Sequence, residues 1–363
     1  MAKRYRPDRV LFAATLALLM LGVVMVFSAS AVYAAELFGH PAMFLLRQAM
    51  WLTLGLGGLY LMLQLDYRKL CQPTVVFPAL SVVCVLLLVV LFLDPARGTH
   101  RWIRWGMFSV QPSELAKLVL ILFLGYFLER RRHAVNDVHG TLLPAAFITT
   151  VLVGLVVIEP DLGTGAVLAL IAGAMFFAAG IRIHYLAYLG LAALPAAYFL
   201  IVRVPYRLAR IQAFVDPYSD PQGSGFQTIQ SLLAVGSGGA TGVGLMDGKQ
   251  KLFYLPEAHT DFIFAVVGEE LGLIGAALVV ILFGVFCWRG LRIAARAPDG
   301  LARLLAVGVT TMVVGQALIN LSVVLGVLPT KGIALPFISY GGSGLLVMLL
   351  GTGLLLNISQ HVD

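Results

Sequence analysis

Charge is the scarcest commodity in this sequence. Asp, Glu, Lys and Arg make up 12% of the 363 residues, about half the roughly 25% of a soluble domain. So little charge on a chain of this length excludes an ordinary water-soluble fold. Cysteine is nearly absent too: Cys71, Cys84 and Cys287 are odd in number, fall in or beside apolar runs, and show no metal-ligand spacing. They read as structural thiols, not as a disulfide framework or a zinc site. There is no second soluble domain, no low-complexity tract and no internal repeat, so one polytopic membrane domain over residues 1–363 is expected.

What is present is hydrophobic. Apolar residues reach 60% and the mean hydropathy is +0.93, against roughly 45–50% apolar for a soluble domain. Ten stretches approach the ~20 residues that cross ~30 Å of hydrocarbon. They are residues 10–33, 44–65, 73–93, 113–128, 142–158, 165–180, 185–203, 261–287, 303–328 and 339–358. The expected fold is an all-α integral membrane protein with about ten transmembrane helices and a long extracytoplasmic loop between the seventh and eighth. The first stretch, with Lys3, Arg4, Arg6 and Arg9 before it and small residues after it, imitates a signal peptide. Its apolar run exceeds the ~7–15 residues of a signal core, so an anchor is expected.

Basic residues set the orientation. With a cytoplasmic N-terminus and an even number of spans, 14 of the 25 Lys and Arg fall on inner segments, which places both termini inside. The outer side is nevertheless basic, through Arg97, Arg101, Arg104, Arg203, Arg207, Arg210, Lys249, Lys251 and Lys331. Arg47 and Lys117 sit just inside the outer ends of their helices. Such a surface suits membrane lipid headgroups or local acids; it equally suits a lipid-borne pyrophosphate, which Arg grips bidentately.

The outer segments carry further signals. Residues 94–113 interleave Arg101 and Arg104 with Trp102, Trp105 and Phe108, as in a segment lying in the headgroup layer. Pro112 and Ser113 then start a helix with Glu114 in its first turn, and Lys117 falls on the face of Glu114. Lys117 can snorkel upward or point into a cavity. Residues 204–260 are too long for a passive link. Their Gly-rich run 236–244 loosely imitates a phosphate-binding loop but follows no parallel strand, so packing against the membrane face is expected and neither nucleotide nor nucleic acid is.

The costliest feature is Leu255 to Gly272, which places Glu257, Asp261, Glu269 and Glu270 at the mouth of, and inside, an apolar span. Each ionised carboxylate at mid-bilayer costs on the order of 2.5–3.5 kcal/mol, so function is the default hypothesis. By position alone Asp261 is a helix cap or a cavity acid. Glu269 and Glu270, about 12–14 Å deeper along a straight helix, point to different faces, and at least one is expected to be a buried partner. Glu159 and Asp161 cap the next helix or face the cavity; His259 orients Asp261 or sits at the interface.

Four runs carry a resemblance. Gln111-Pro112-Ser113-Glu114-Leu115-Ala116-Lys117, Glu159-Pro160-Asp161-Leu162-Gly163, Leu255-Pro256-Glu257-Ala258-His259-Thr260-Asp261-Phe262 and Leu335-Pro336-Phe337-Ile338-Ser339-Tyr340-Gly341-Gly342-Ser343 occur in this order. With them the chain resembles the SEDS family of cell-wall polymerases, which includes FtsW and RodA. Pro329-Thr330-Lys331-Gly332 and Lys251 to Pro256 look more like the division branch. Met246-Asp247-Gly248-Lys249 and Ser343-Gly344 depart from the expected pattern and weaken that subdivision.

The resemblance implies a peptidoglycan glycosyltransferase at the outer face of the bacterial inner membrane. It would use lipid II, extend a glycan strand by β-1,4 transfer and release undecaprenyl pyrophosphate. Asp261 is then the catalytic base. Lys117, Arg101 and Arg104, with Arg207 and Arg210 behind them, are the cations for the pyrophosphate, and Glu114 belongs to the same binding set. A class B penicillin-binding protein is the implied partner. Mg or Mn beside the pyrophosphate suits the chemistry, although no ligand set identifies a metal site. A lipid II flippase and a non-catalytic scaffold of the division or elongation complex remain as alternatives. The flippase would need polar groups along the full depth of the bundle.

Overall fold

The computed structural model describes residues 6–93, 101–106 and 108–362; Lys3, Arg4 and Arg97 lie outside them. Each expected stretch coincides with a helix: α1 (Arg9–Phe38), α2 (Met43–Gln64), α4 (Pro73–Phe92), α5 (Pro112–Arg130), α6 (Leu143–Ile158), α7 (Leu162–Ala178), α8 (Ile183–Val202), α11 (Ile263–Ala295), α12 (Gly300–Val324) and α13 (Gly342–Ser359). A short turn, α3 (Tyr67–Leu70), joins α2 to α4, and α9 (Pro205–Val215) and α10 (Phe226–Ser237) lie between α8 and α11. Seven helices among the described residues are long and apolar enough to cross a membrane: α1, α4, α6 with the π-helical turn before it, α8, α11, α12 and α13. The apolar α7 has 17 residues, α2 has 22 with Arg47 inside it, and α5 has 19 with Glu114, Lys117, Glu129 and Arg130. The protein is a multi-pass membrane protein.

Local chemistry starts these helices where the sequence indicated. Pro112 stands at the N-terminus of α5, with Glu114 complementing the helix dipole. Asp8 caps α1 through the amides of Val10 and Leu11 and pairs with Arg289 of α11, while its own amide donates to Ser359 Oγ of α13 at 3.0 Å. Asp299 caps α12 and accepts from the Tyr67 hydroxyl at 2.7 Å and from Arg68 at 3.0 Å. These ties close the end of the bundle that carries both termini. The core forms where α13 packs on α2, α12 on α11, α7 and α5, and α1 on α11. Helix α8 stays at the rim, its described side chains exposed or half-buried.

Two connecting segments differ from expectation. Two short strands, β1 (Ile103–Trp105) and β2 (Phe108–Val110), pair as an antiparallel hairpin, with Gly106 after β1 at φ 58°. The 204–260 segment holds two helices. In α9, PYRLARIQAFV puts Arg207 and Ala213 inward, while Tyr206 and Val215 stay exposed.

Helix α11 is broken. Its 33 residues would run about 50 Å at 1.5 Å each, but Gly272 has φ 64° and ψ −161° and separates 263–271 from 273–295. A break exposes carbonyls before it and amides after it, which lipid cannot satisfy. The Gly-rich run satisfies them: Val243 and Gly244 amides donate to the Glu269 and Glu270 carbonyls at 3.0 and 3.2 Å, and Leu273 and Ile274 amides donate to Gly239 and Ala240 at 2.9 and 3.2 Å. Gly242 lies against Glu270 so closely that a Cβ would strike backbone. The imitation of a phosphate loop thus comes from close backbone packing.

Candidate active site

A cavity of about 940 Å³ opens among the ends of α1, α2, α5, α7 and α9, the hairpin, and the turns before α11 and α13. Asp261, Arg101, Arg104, Glu114, Arg207 and Arg210 all line it, joined by Arg47, Asp161, His259, Lys331 and Tyr340. Residues from seven separate segments converge here because each of these segments ends at the same membrane face.

Asp261 precedes α11. The cap position belongs to Phe262, and no side chain caps this helix, so the capping role that position alone allowed is not the one adopted. Asn320 of α12 fixes the local backbone, its Nδ2 donating to the Asp261 and Ile333 carbonyls at 2.7 Å each. Gly332 lets the carboxylate approach: a Cβ there would lie 2.7 Å from Asp261 Oδ2. Among the described residues the carboxylate makes no hydrogen bond or ion pair. Burial, then the charges of Glu257 and Asp161, push its pKa up from 3.8 to about 7, against the opposing pull of Arg101 and Arg210.

Asp161 takes both roles left open for it. It caps α7 through the Thr164 amide at 3.0 Å and hydroxyl at 2.8 Å, accepts from Gln111 Nε2 at 2.9 Å, and lines the cavity. Glu159 is fully buried, with neither carboxylate oxygen hydrogen-bonded among the described residues. Burial, then Asp161, raise its pKa to about 8. Arg101 donates to the Glu159 and Pro160 carbonyls. His259 packs its ring 4.9 Å from Phe44 and 5.4 Å from Tyr33, on the side of the cavity facing α1 and α2.

The basic wall has anchored arginines. Arg207 Nη1 donates to Leu200 O at 2.8 Å, and Arg210 Nη1 to Thr330 O at 3.2 Å, with Arg210 over the Tyr206 ring. Arg207 keeps a buried Nε with no partner among the described residues. Lys331 joins them, its pKa lowered by burial, with Arg207 and Arg210 adding to the shift and Asp161 opposing it.

Lys117 is the predicted site residue that does not reach the wall. It is 1% exposed, its Nζ 2.7 Å from Glu114 Oε2 and donating to Gln316 Oε1 at 2.6 Å, beneath Glu114. One turn below the rim an ammonium has no water, so it pairs inside the bundle instead of snorkelling. Glu269 and Glu270 do not share the cavity. Glu269 accepts from the Lys249 and Gln250 amides at 2.8 and 3.2 Å; Glu270 accepts from Ser28 Oγ at 2.6 Å, Met246 N at 3.1 Å and Lys251 Nζ at 2.6 Å. Both stand on the 263–271 stretch, before the break at Gly272, and the 243–251 segment folds against them there.

The family model for FtsW, RodA and SpoVE, described as cell cycle protein, matches residues 9–363. The chain belongs to this family. Within the FtsW/RodA/SpoVE family it is 45% identical over 361 residues to the probable peptidoglycan glycosyltransferase FtsW of Geobacter sulfurreducens, covering 98% of this chain and 96% of that one. It is 42% identical over 363 residues to the stage V sporulation protein E of Bacillus subtilis, covering 99% and 98%. Among solved structures, a chain of a peptidoglycan synthase complex that coordinates polymerization and crosslinking superposes with a TM-score of 0.80, 33% identity, and 98% and 99% coverage. RodA of Thermus thermophilus gives 0.72, 30% identity, and 98% coverage of both chains.

Some cavity residues of this FtsW/RodA/SpoVE chain escaped the sequence reading. Arg47, Lys331 and Tyr340 were visible as residues but not as wall residues, because their convergence depends on how α2 and the turn before α13 meet. Gln316 and Asn320, polar in the apolar α12, were the available signal for buried hydrogen-bonding positions.

Proposed function

We propose that the chain is a peptidoglycan glycosyltransferase that polymerises lipid II by β-1,4 transfer with release of undecaprenyl pyrophosphate. The observation that carries this reading is Asp261: a carboxylate on a basic cavity, with its pKa pushed to about 7 and no partner among the described residues. A general base works best with a pKa near the operating pH. Asp261 takes the proton from the acceptor sugar's 4-hydroxyl; that oxygen attacks the donor's anomeric carbon, and the bond from that carbon to the pyrophosphate oxygen breaks. Arg101, Arg104, Arg207 and Arg210 bind the departing charge, with Lys331 added to them. Glu114 lies on the wall, and Lys117 holds it in place from below. Relatives named as peptidoglycan glycosyltransferases support the same activity.

Among the described residues no three His, Cys, Asp or Glu side chains converge as metal ligands, so no step is routed through Mg or Mn. The cavity is taken to face outward with both termini cytoplasmic, in accord with the basic inner segments. A class B penicillin-binding protein is the proposed partner. In support, a structural neighbour is part of a complex joining polymerization to crosslinking, and Val243, Leu252, Phe253 and Tyr254 in the segment between α10 and α11 are exposed apolar residues. The higher identity to FtsW than to RodA favours division over elongation.

The test is polymerisation of lipid II by purified protein in proteoliposomes, with flipping measured on the same vesicles. Wild-type protein is expected to make glycan strands and Asp261→Asn to lose at least about 100-fold of that rate, within the usual contribution of a general base. Flipping without polymerisation would favour the transporter; neither activity would favour the scaffold.

A further inference from the structure

A base acts from one place, yet Asp261 stands ahead of α11, whose first residue is Ile263. Its carboxylate makes no hydrogen bond or ion pair among the described residues, so the backbone that carries it sets its position. Three successive carbonyls of that backbone are each taken by a donor from a distant part of the chain. His259 O accepts from the Tyr340 amide at 3.0 Å, Thr260 O from Ser339 Oγ at 2.5 Å, and Asp261 O from Asn320 Nδ2 at 2.7 Å.

The two side-chain donors have few other uses. Asn320 is buried in apolar α12 and spends both of its N–H groups on the Asp261 and Ile333 carbonyls, while its Oδ1 has no partner among the described residues. It thereby ties the turn of Asp261 to the turn of Lys331 and Gly332. Ser339 is buried too, and its Oγ also accepts from the Leu335 amide at 2.7 Å, closing its own turn. Gln48 of α2 holds that turn from the other side, donating to Ser339 O at 3.3 Å and accepting from the Gly341 amide at 3.4 Å. Both turns need holding. Glu257 and Phe337 have φ of 54° and 65°, a region that residues other than glycine keep only where the surroundings over-determine it.

We infer that Asn320 and Ser339 are positioning residues for the catalytic base, clamping the backbone of Asp261 while leaving its carboxylate free for the acceptor sugar. The charged groups acting on that carboxylate are Glu257, Asp161, Arg101 and Arg210. Once the clamp is loosened, the carboxylate moves toward water or the two arginines and out of hydrogen-bond reach of the acceptor hydroxyl. The proposal rests on the glycosyltransferase reading for the role of Asp261, while the clamp itself is measured separately.

The experiment compares the full-length protein with Asn320→Leu and Ser339→Ala in proteoliposomes, following lipid II polymerisation and, by mass spectrometry, hydrogen–deuterium exchange of residues 257–263. Each change is expected to lower kcat at least about tenfold with KM within about twofold, and to speed exchange at 257–263. The midpoint of the pH–rate profile is expected to fall by about half a unit or more, as the freed carboxylate gains water or a cation. Added to Asp261→Asn, either change is expected to cost less than about twofold more, because the base it positions is already gone. Thr352→Val is the control: it deletes a buried hydroxyl that donates to Met348 O at 2.8 Å in α13, and is expected to leave kcat unchanged. Unchanged kcat, a loss carried by KM, a loss matched by Thr352→Val, or an equal further loss on the Asp261→Asn background would overturn the positioning role. If Asn320→Leu fails to fold, the milder Ser339→Ala decides. Full activity of Asp261→Asn would remove the base reading; faster exchange at 257–263 would then still uphold the clamp, and unchanged exchange would overturn it.

Discussion

Asp261 carries a carboxylate that ordinary titration would leave fully ionised at neutral pH, and its surroundings oppose that charge. A base must be deprotonated to act, so polymerisation by wild-type protein is expected to rise with pH, reach half its plateau near pH 7 and stay level above it. A pH–rate profile checks this. Folding is linked with a defined sign: the unfolded chain releases this proton near 3.8 and the folded one at about 7. The contribution of this carboxyl to stability is therefore full below about pH 4 and is lost as pH rises through about 7, a component of the pH dependence that thermal unfolding of Asp261→Asn should lack. Gly332 tests the geometry. A methyl group there meets Asp261 Oδ2 at 2.7 Å, and Gly332→Ala is expected to slow turnover by about 10- to 100-fold, the scale of a misplaced catalytic group, with melting temperature little changed. The sequence made Asp261 legible through its motif. It placed Lys117 on the face of Glu114, its ion-pair partner, but could not show the second partner, because Gln316 lies 199 positions away.

At the scale of elements, the break in α11 and the segment that fills it are one device. Glu270 is held between Ser28 of α1 and Lys251 of the preceding turn, so three separated stretches share one buried charge pair. Removing one partner leaves the other charged and unsolvated, at about 3–5 kcal/mol. Lys251→Met is expected to lower stability by that order in thermal unfolding in detergent, and the double change Lys251→Met with Glu270→Leu to recover part of the loss. Equal or greater loss in the double variant would show that the pair is not the source. The break itself was hidden from the sequence. Gly272 is one of several glycines in a stretch that otherwise reads as one continuous helix, and the groups that satisfy its open backbone come from 239–244, thirty or so positions earlier. The amphipathic α9 was hidden for the related reason that its short apolar face resembles loop composition.

For the molecule as a whole, the proposed orientation puts the cavity and the 238–260 segment outside and Arg296 inside. Single cysteines placed by Lys249→Cys and Arg296→Cys, in a chain whose native cysteines are replaced, are expected to separate in intact cells. The first reacts with a membrane-impermeant maleimide; the second reacts only after permeabilisation. The reverse pattern would invert the topology. The sequence by itself determined that the chain crosses the membrane many times, roughly where each crossing lies, and which family it joins. Burying an apolar run in lipid depends on composition within some twenty residues, and the motifs are local strings. Only the tertiary structure decided which charges face the cavity, which are locked inside the bundle, and where α11 breaks. In a medium without water each polar group must find a protein partner, and those partners come from segments distant in the chain and adjacent only once the helices have packed.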